Sequence, residues 1–208
     1  DPLEPCEVGI GDLGHALLAA GDVDTLVEAG LDGDRIVVPE VGEPVEIAGA
    51  RITAVPSSHT ELEHDPERGY PYLGYVIEWN GVTVYHAGDT VVYDGLIETL
   101  STWDINVAFV PINGRDYFRT GRGIIGNTDF RETAELAETL DIGLIVPTHY
   151  DLIEGNTADP GHFVSHLYSL NPMQAAASRR APLLRQRSRR LELPVWSEKP
   201  EMRPDTRP

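Results

Sequence analysis

The chain has 208 residues, with 16 Lys plus Arg against 34 Asp plus Glu and a formal net charge of −18. That excess argues against a grip on nucleic acid, which clustered basic side chains provide, and 41% apolar residues can fill a core and exclude disorder of the whole chain. Cys6 stands alone, so no intrachain disulfide forms, and no apolar run reaches the roughly 18–20 residues of a membrane helix; a soluble, cytoplasmic protein is expected. The charge is uneven: residues 1–173 hold 7 basic and 30 acidic side chains, −23, and residues 174–208 hold nine and four, +5. All seven basic residues of the body are arginine. Such a surface suits high salt, where self-repulsion is screened, although ordinary acidic drift would give the same composition.

In chain order, Leu13, Leu17 and Leu18, then Val23, Leu26 and Val27, are spaced for a helical face over the first thirty residues, broken by Gly21 and Gly30. Strands follow. Arg35 to Pro39 is short and β-branched, and Val45–Ile47 and Arg51–Val55 flank a tight Ala-Gly-Ala turn. Leu73–Trp79 and Val82–Tyr85 flank Asn80-Gly81, a strong hairpin signal. Tyr93 to Leu100 suggests a helix. Ile105–Ile112 and Ile142–Val146 are apolar strands, and between them Asp129 with Glu132 three residues on starts a helix to about Leu140. Asp159-Pro160 starts a last helix with an apolar face of Phe163, Val164, Leu167 and Leu170. Early hairpins and late strand-helix alternation predict an α+β layer architecture. From about residue 173 a basic tail shows no sustained period, and it is expected to be disordered or foreign to the fold.

Four of these strands run into turns that carry polar chemistry: Ser57-Ser58-His59, His86-Ala87-Gly88-Asp89-Thr90, Asn113-Gly114-Arg115-Asp116 and Thr148-His149-Tyr150-Asp151. If the strands share a sheet and a direction, these side chains meet at one edge. Two histidines and a carboxylate arriving from three strand ends suit a divalent ion. Each also has a plainer reading: a histidine after a strand serves a turn or a hydrogen bond, Asp89 caps the following helix, and His149 and Asp151 orient one another. His86 is expected to support a ligand or sit in the core, and His15, His64, His162 and His166 are expected to be structural or solvated. Arg115, Arg119 and Arg122 put three of the body's seven basic residues within eight positions. With the glycines between Asn113 and Asn127, they form a candidate anion site for substrate, to which both asparagines are assigned. The alternative is ion pairing with the acidic surface.

At these residues the sequence resembles the metallo-β-lactamase superfamily, and within it the metal-dependent hydrolases related to L-ascorbate-6-phosphate lactonase. The resemblance rests on Thr53–His59, Tyr85–Thr90, Val110–Asp116, Gly126-Asn127, Pro147–Asp151 and Gly155–Pro160, in order over residues 35–172. It implies an αββα sandwich with a metal site at the sheet edge. His59 would bind a first metal, Asp89 would bridge two, and His149 would complete the second, with Asp89 and His149 as catalytic residues and His86 and Asp151 orienting ligands. The ions would be zinc or manganese, two in a complete protein. The family's His-x-His-x-Asp-His motif does not occur in this chain. In relatives it often precedes Asp-Pro, so Asp1-Pro2 is expected to mark a fragment starting just downstream, with residues 1–172 a hydrolase domain lacking its N-terminal strands. The expected activity is opening of a lactone or ester of a phosphorylated or carboxylated small molecule by metal-activated water. A phosphodiesterase or nuclease of the same fold, or an inactive fragment, are the alternatives. The expected partner is a small anionic substrate, with no nucleic acid or membrane; a homo-oligomer is compatible with the sequence.

Overall fold

A computed structural model describes residues 16–17, 19, 23–151 and 153–172. The basic tail, Cys6 and His15 lie outside the described residues. Near the start the structure departs from the expected helical run: Ala16–Leu17 (β1) pairs in parallel with Ile36–Val37 (β2), and the helix there is Val23–Glu28 (α1). No residue of α1 is buried, and Gly30 at φ 97° ends the turn that follows it. A leucine spacing without a surface to bury against does not extend a helix.

The main sheet has six strands in sequence order: Pro44–Ile47 (β3), Ala50–Pro56 (β4), Leu73–Trp79 (β5), Val82–His86 (β6), Val107–Pro111 (β7) and Leu144–Thr148 (β8). The pairs from β3 to β6 are antiparallel; β6–β7 and β7–β8 are parallel. Two hairpins follow from turn chemistry. Asn80 and Gly81 have φ of 49° and 75°, and Ala48 and Gly49 have φ of 51° and 82°; two left-handed residues match the right-handed strand twist. Parallel strands need crossovers, which are supplied by Leu96–Leu100 (α2) before β7 and by Phe130–Thr139 (α4) before β8. Tyr117–Thr120 (α3) and Pro160–Leu170 (α5) complete the helices described. Among the described residues no helix is long and apolar enough to cross a membrane.

Strand alternation sorts the sheet into two faces. Val55, Val76, Tyr85, Ala108, Val110 and Ile145 point to one face, where they pack with Leu96 and Leu100 of α2, Ala134, Leu136 and Ala137 of α4, and Phe163 and Leu167 of α5. A second cluster of Ile47, Ile52, Ala54 and Tyr75 occupies the other face, with Val37 packed against it. The start of α4 closes as the Asp129/Glu132 spacing predicts. Asp129 accepts from the Arg131 and Glu132 amides at 2.7 and 3.0 Å, and Glu132 accepts from the Asp129 amide at 2.9 Å. Phe163→Ala would empty a fully buried site and is expected to cost about 3–5 kcal/mol, measurable by urea unfolding.

Candidate metal centre

The strand directions decide where the site falls. Because β4 and β6 are both antiparallel to β5, and β7 and β8 run parallel to β6, the C-terminal ends of β4, β6, β7 and β8 lie along one sheet edge. The turns after β4 and β6 are joined by hydrogen bonds. Ser57 donates its hydroxyl to the Ala87 carbonyl at 2.7 Å, the Ser58 amide donates to Thr90 Oγ1 at 3.2 Å, and the Val91 amide donates to the Ser58 carbonyl at 2.7 Å. These bonds carry His59 toward Asp89. The Thr128 amide donates to the Thr90 carbonyl at 2.8 Å and its hydroxyl to the Pro111 carbonyl at 2.7 Å, drawing the Gly126-Asn127 segment in from the side. Gly88, at φ 63°, passes so close to Leu73 that a Cβ there would lie 2.9 Å from its carbonyl oxygen.

Asp89 is the centre of the cluster. Its Oδ2 lies 3.5 Å from His59 Nε2, and its Oδ1 lies 2.7 Å from His149 Nδ1 and 3.2 Å from Asn127 Nδ2. His149 holds a left-handed backbone, φ 55°, at a cost of about 1 kcal/mol for a residue with a Cβ. His149 Nδ1, although 2.7 Å from Asp89 Oδ1, and His59 Nδ1 are both buried without a hydrogen-bond partner among the described residues. The His59 ring stands edge-on to Tyr72, 4.9 Å between centroids. Burial pushes the Asp89 carboxyl up, but contact with His149, the charge of His59 and the Asn127 amide outweigh it and hold the group below the usual carboxylate range.

These donors fit a divalent ion in chemistry. Two atoms bound to one tetrahedral zinc at about 2.0–2.1 Å lie about 3.4 Å apart; the 3.5 Å between His59 Nε2 and Asp89 Oδ2 meets this, whereas His149 Nδ1 and Asp89 Oδ1, 2.7 Å apart, would have to separate to share an ion. Of the two unpartnered imidazole nitrogens, His149 Nδ1 faces Asp89 and is a group that a metal can take up; at His59 the nitrogen turned to Asp89 is Nε2. Among the described residues no three His, Cys, Asp or Glu side chains are grouped closely enough to hold an ion by themselves, so an ion at His59, Asp89 and His149 would need further ligands.

Other candidates fall elsewhere. The His86 ring stacks on Phe109 at 5.9 Å, and its Nδ1 accepts from the Gly88 amide at 3.2 Å, which leaves the proton of the neutral ring on Nε2. Burial first, and then the neighbouring His149 charge, push this imidazole below its ordinary value, with Asp89 acting against them. A depressed histidine adds stability that is full above its unfolded value near 6.5 and is lost as pH falls through the folded value. The melting temperature of the metal-free chain is accordingly expected to fall from pH 7 to pH 5, and His86→Gln to flatten that slope; a slope unchanged by the substitution would contradict the assignment. Asp151 is exposed and makes no hydrogen bond or ion pair with His149 among the described residues. His162 and His166 pack against Phe130, and His64 against Tyr70.

For two of the three clustered arginines the ion-pair alternative describes what is found. Arg115 binds Glu132 through both terminal nitrogens at 2.7 Å and donates to the Asn127 carbonyl at 3.0 Å. Arg119 pairs with Asp116 and donates to the Asn113 carbonyl and to Asn156 Oδ1, both at 2.8 Å. Arg122 is exposed and has no ion pair among the described residues. Asn156, 7% exposed, was not singled out in the sequence; its only signal there is the Gly155-Asn-Thr stretch.

The strand ends of the sheet bring His59 and His149 to the two carboxylate oxygens of Asp89. Residues 14–150 match the family model for the beta-lactamase superfamily domain, and the chain belongs to that family. It is 35% identical over 121 residues to a UPF0173 metal-dependent hydrolase of Pyrococcus horikoshii, covering 58% of this chain and 49% of the relative. Among solved structures it resembles Igni18, a metallo hydrolase from Ignicoccus hospitalis, with a TM-score of 0.56 and 24% identity over 74% of this chain and 60% of that one. It also resembles the metallo-beta-lactamase fold protein YhfI of Bacillus subtilis, with a TM-score of 0.54 and 13% identity over 74% and 57%. The fold is therefore the metallo-β-lactamase fold, of the α+β class. The chain spans about half the length of the curated relatives it matches.

Proposed function

We propose that the protein is a metal-dependent hydrolase that opens a lactone or ester of a small anionic molecule, with His59, Asp89 and His149 among the ligands of a two-metal centre. One observation carries this reading: the two carboxylate oxygens of Asp89 face different imidazoles, Oδ2 toward His59 and Oδ1 toward His149, as a carboxylate bridging two ions would. Zinc or manganese bound there would supply Lewis acidity toward a carbonyl and bring the pKa of water toward neutrality. The chain's own residues supply the frame. Asp89, held ionised, contributes charge between the two imidazoles, and the hydrogen-bonded turns after β4 and β6 hold His59 and Asp89 in place. Arg122, which unlike Arg115 and Arg119 has no ion pair among the described residues, would orient the substrate's phosphate or carboxylate. The −23 body favours small anions steered by one arginine over a long polyanion, which it would repel.

The test is turnover of a phosphorylated lactone and of a phosphodiester by the chain with added zinc or manganese. Lactone opening, with a KM raised about tenfold or more by Arg122→Ala and kcat little changed, is the expected result. Phosphodiester cleavage alone would replace the substrate assignment, and no turnover of either would overturn the activity.

A further inference from the structure

We propose that Asn127 is a positioning residue for Asp89, holding one carboxylate oxygen so that each of the two faces its own imidazole. The inference rests on the reading of Asp89 as a metal ligand. Asn127 is 3% exposed, and its Nδ2 lies 3.2 Å from Asp89 Oδ1 and 3.2 Å from Asn113 Oδ1, one proton for each acceptor. An ionised carboxylate only accepts, so the amide edge that faces Asp89 is its NH2 side. The same orientation leaves Asn127 Oδ1 buried and without a partner among the described residues, a cost that the chain tolerates to keep a donor on Asp89.

Asn127 is itself held from behind. Its carbonyl accepts from Arg115, which is locked by two contacts to Glu132, and Glu132 belongs to the capping box of α4. Its other acceptor, Asn113, is anchored through its carbonyl by Arg119, which also reaches Asn156. The two arginines therefore brace the residue that braces Asp89. Rotation of an aspartate about its terminal torsion is soft and nearly two-fold, so a fixed donor on one oxygen is the means by which the carboxylate is kept in one orientation. The sequence separation of 38 between Asp89 and Asn127 hides this contact from any local motif.

The test uses the full chain with cobalt(II) as probe, whose visible bands report ligand geometry. Asn127→Leu, of similar size but with no amide, is expected to keep the far-ultraviolet circular dichroism, to weaken cobalt binding about 10–100-fold and to change the bands. Glu138→Gln, on the exposed side of α4, is expected to change neither. A folded Asn127→Leu with parental affinity and bands overturns the proposal. A second measurement needs neither metal nor that variant. The Asn127 side-chain amide protons of the metal-free chain, followed by NMR, are expected to exchange slowly and to shift and speed up on Asp89→Ala; signals indifferent to Asp89 overturn the proposal. A chain that binds no cobalt while its Asn127 amide responds to Asp89 supports the brace and overturns the metal reading.

Discussion

Asp89→Ala is expected to lower divalent-ion affinity by more than about 100-fold, beyond the 10–100-fold typical of groups that only support a ligand, and to remove hydrolytic turnover. The loss is large because one side chain serves three neighbours: His59 at 3.5 Å, His149 at 2.7 Å and Asn127 at 3.2 Å. Folding should suffer much less, since Asp89 lies at the sheet edge and contributes nothing to the apolar cluster beneath α2, α4 and α5. The decisive comparison sets metal affinity, by equilibrium dialysis, against urea unfolding of the metal-free chain. Wild-type affinity and turnover in Asp89→Ala would remove the aspartate from the centre.

Gly126→Ala should act through the backbone. A Cβ at position 126 would lie 1.9 Å from the Gly114 carbonyl oxygen and 2.7 Å from its carbonyl carbon, and neither is the end of a flexible side chain that could move aside. The segments after β7 and before α4 would have to separate where the Gly114 amide donates to the Thr128 carbonyl at 3.0 Å, disturbing Asn127 on the way. A destabilisation of about 3 kcal/mol or more is expected, at the upper end for overpacking. By contrast, Gly123→Ala, at φ 75° with open space around it, should cost about 1–2 kcal/mol, the left-handed penalty alone. Urea unfolding of the two variants separates these mechanisms; equal costs would show that the Gly114 approach is unimportant.

How much of this was legible beforehand depends on the range of the interaction. Asn80-Gly81, Ala48-Gly49 and the Asp129/Glu132 pair are local, and each produces the turn or cap that its chemistry demands. Strand direction was an assumption, yet it alone decided whether His59, Asp89 and His149 would meet. Ala16–Leu17 was misread as helical because a two-residue parallel strand has no period to detect. The arginine cluster stayed open for a related reason. Arg115 and Arg119 are conspicuous by their spacing, but their partners Glu132 and Asn156 lie 17 and 37 residues away, so the sequence could propose an anion site or ion pairs and not choose. The left-handed backbone of His149 was equally hidden, since a histidine carries none of glycine's signal for positive φ.

In the proposed function the strand ends of this sheet hold part of a divalent-metal centre built on Asp89. Its most direct test is the metal content of the purified chain after dialysis against zinc or manganese, measured by mass spectrometry alongside Asp89→Ala. Bound metal in the parent chain that is lost in the variant is the expected result; no metal in the parent, or the same amount in both, would contradict the claim.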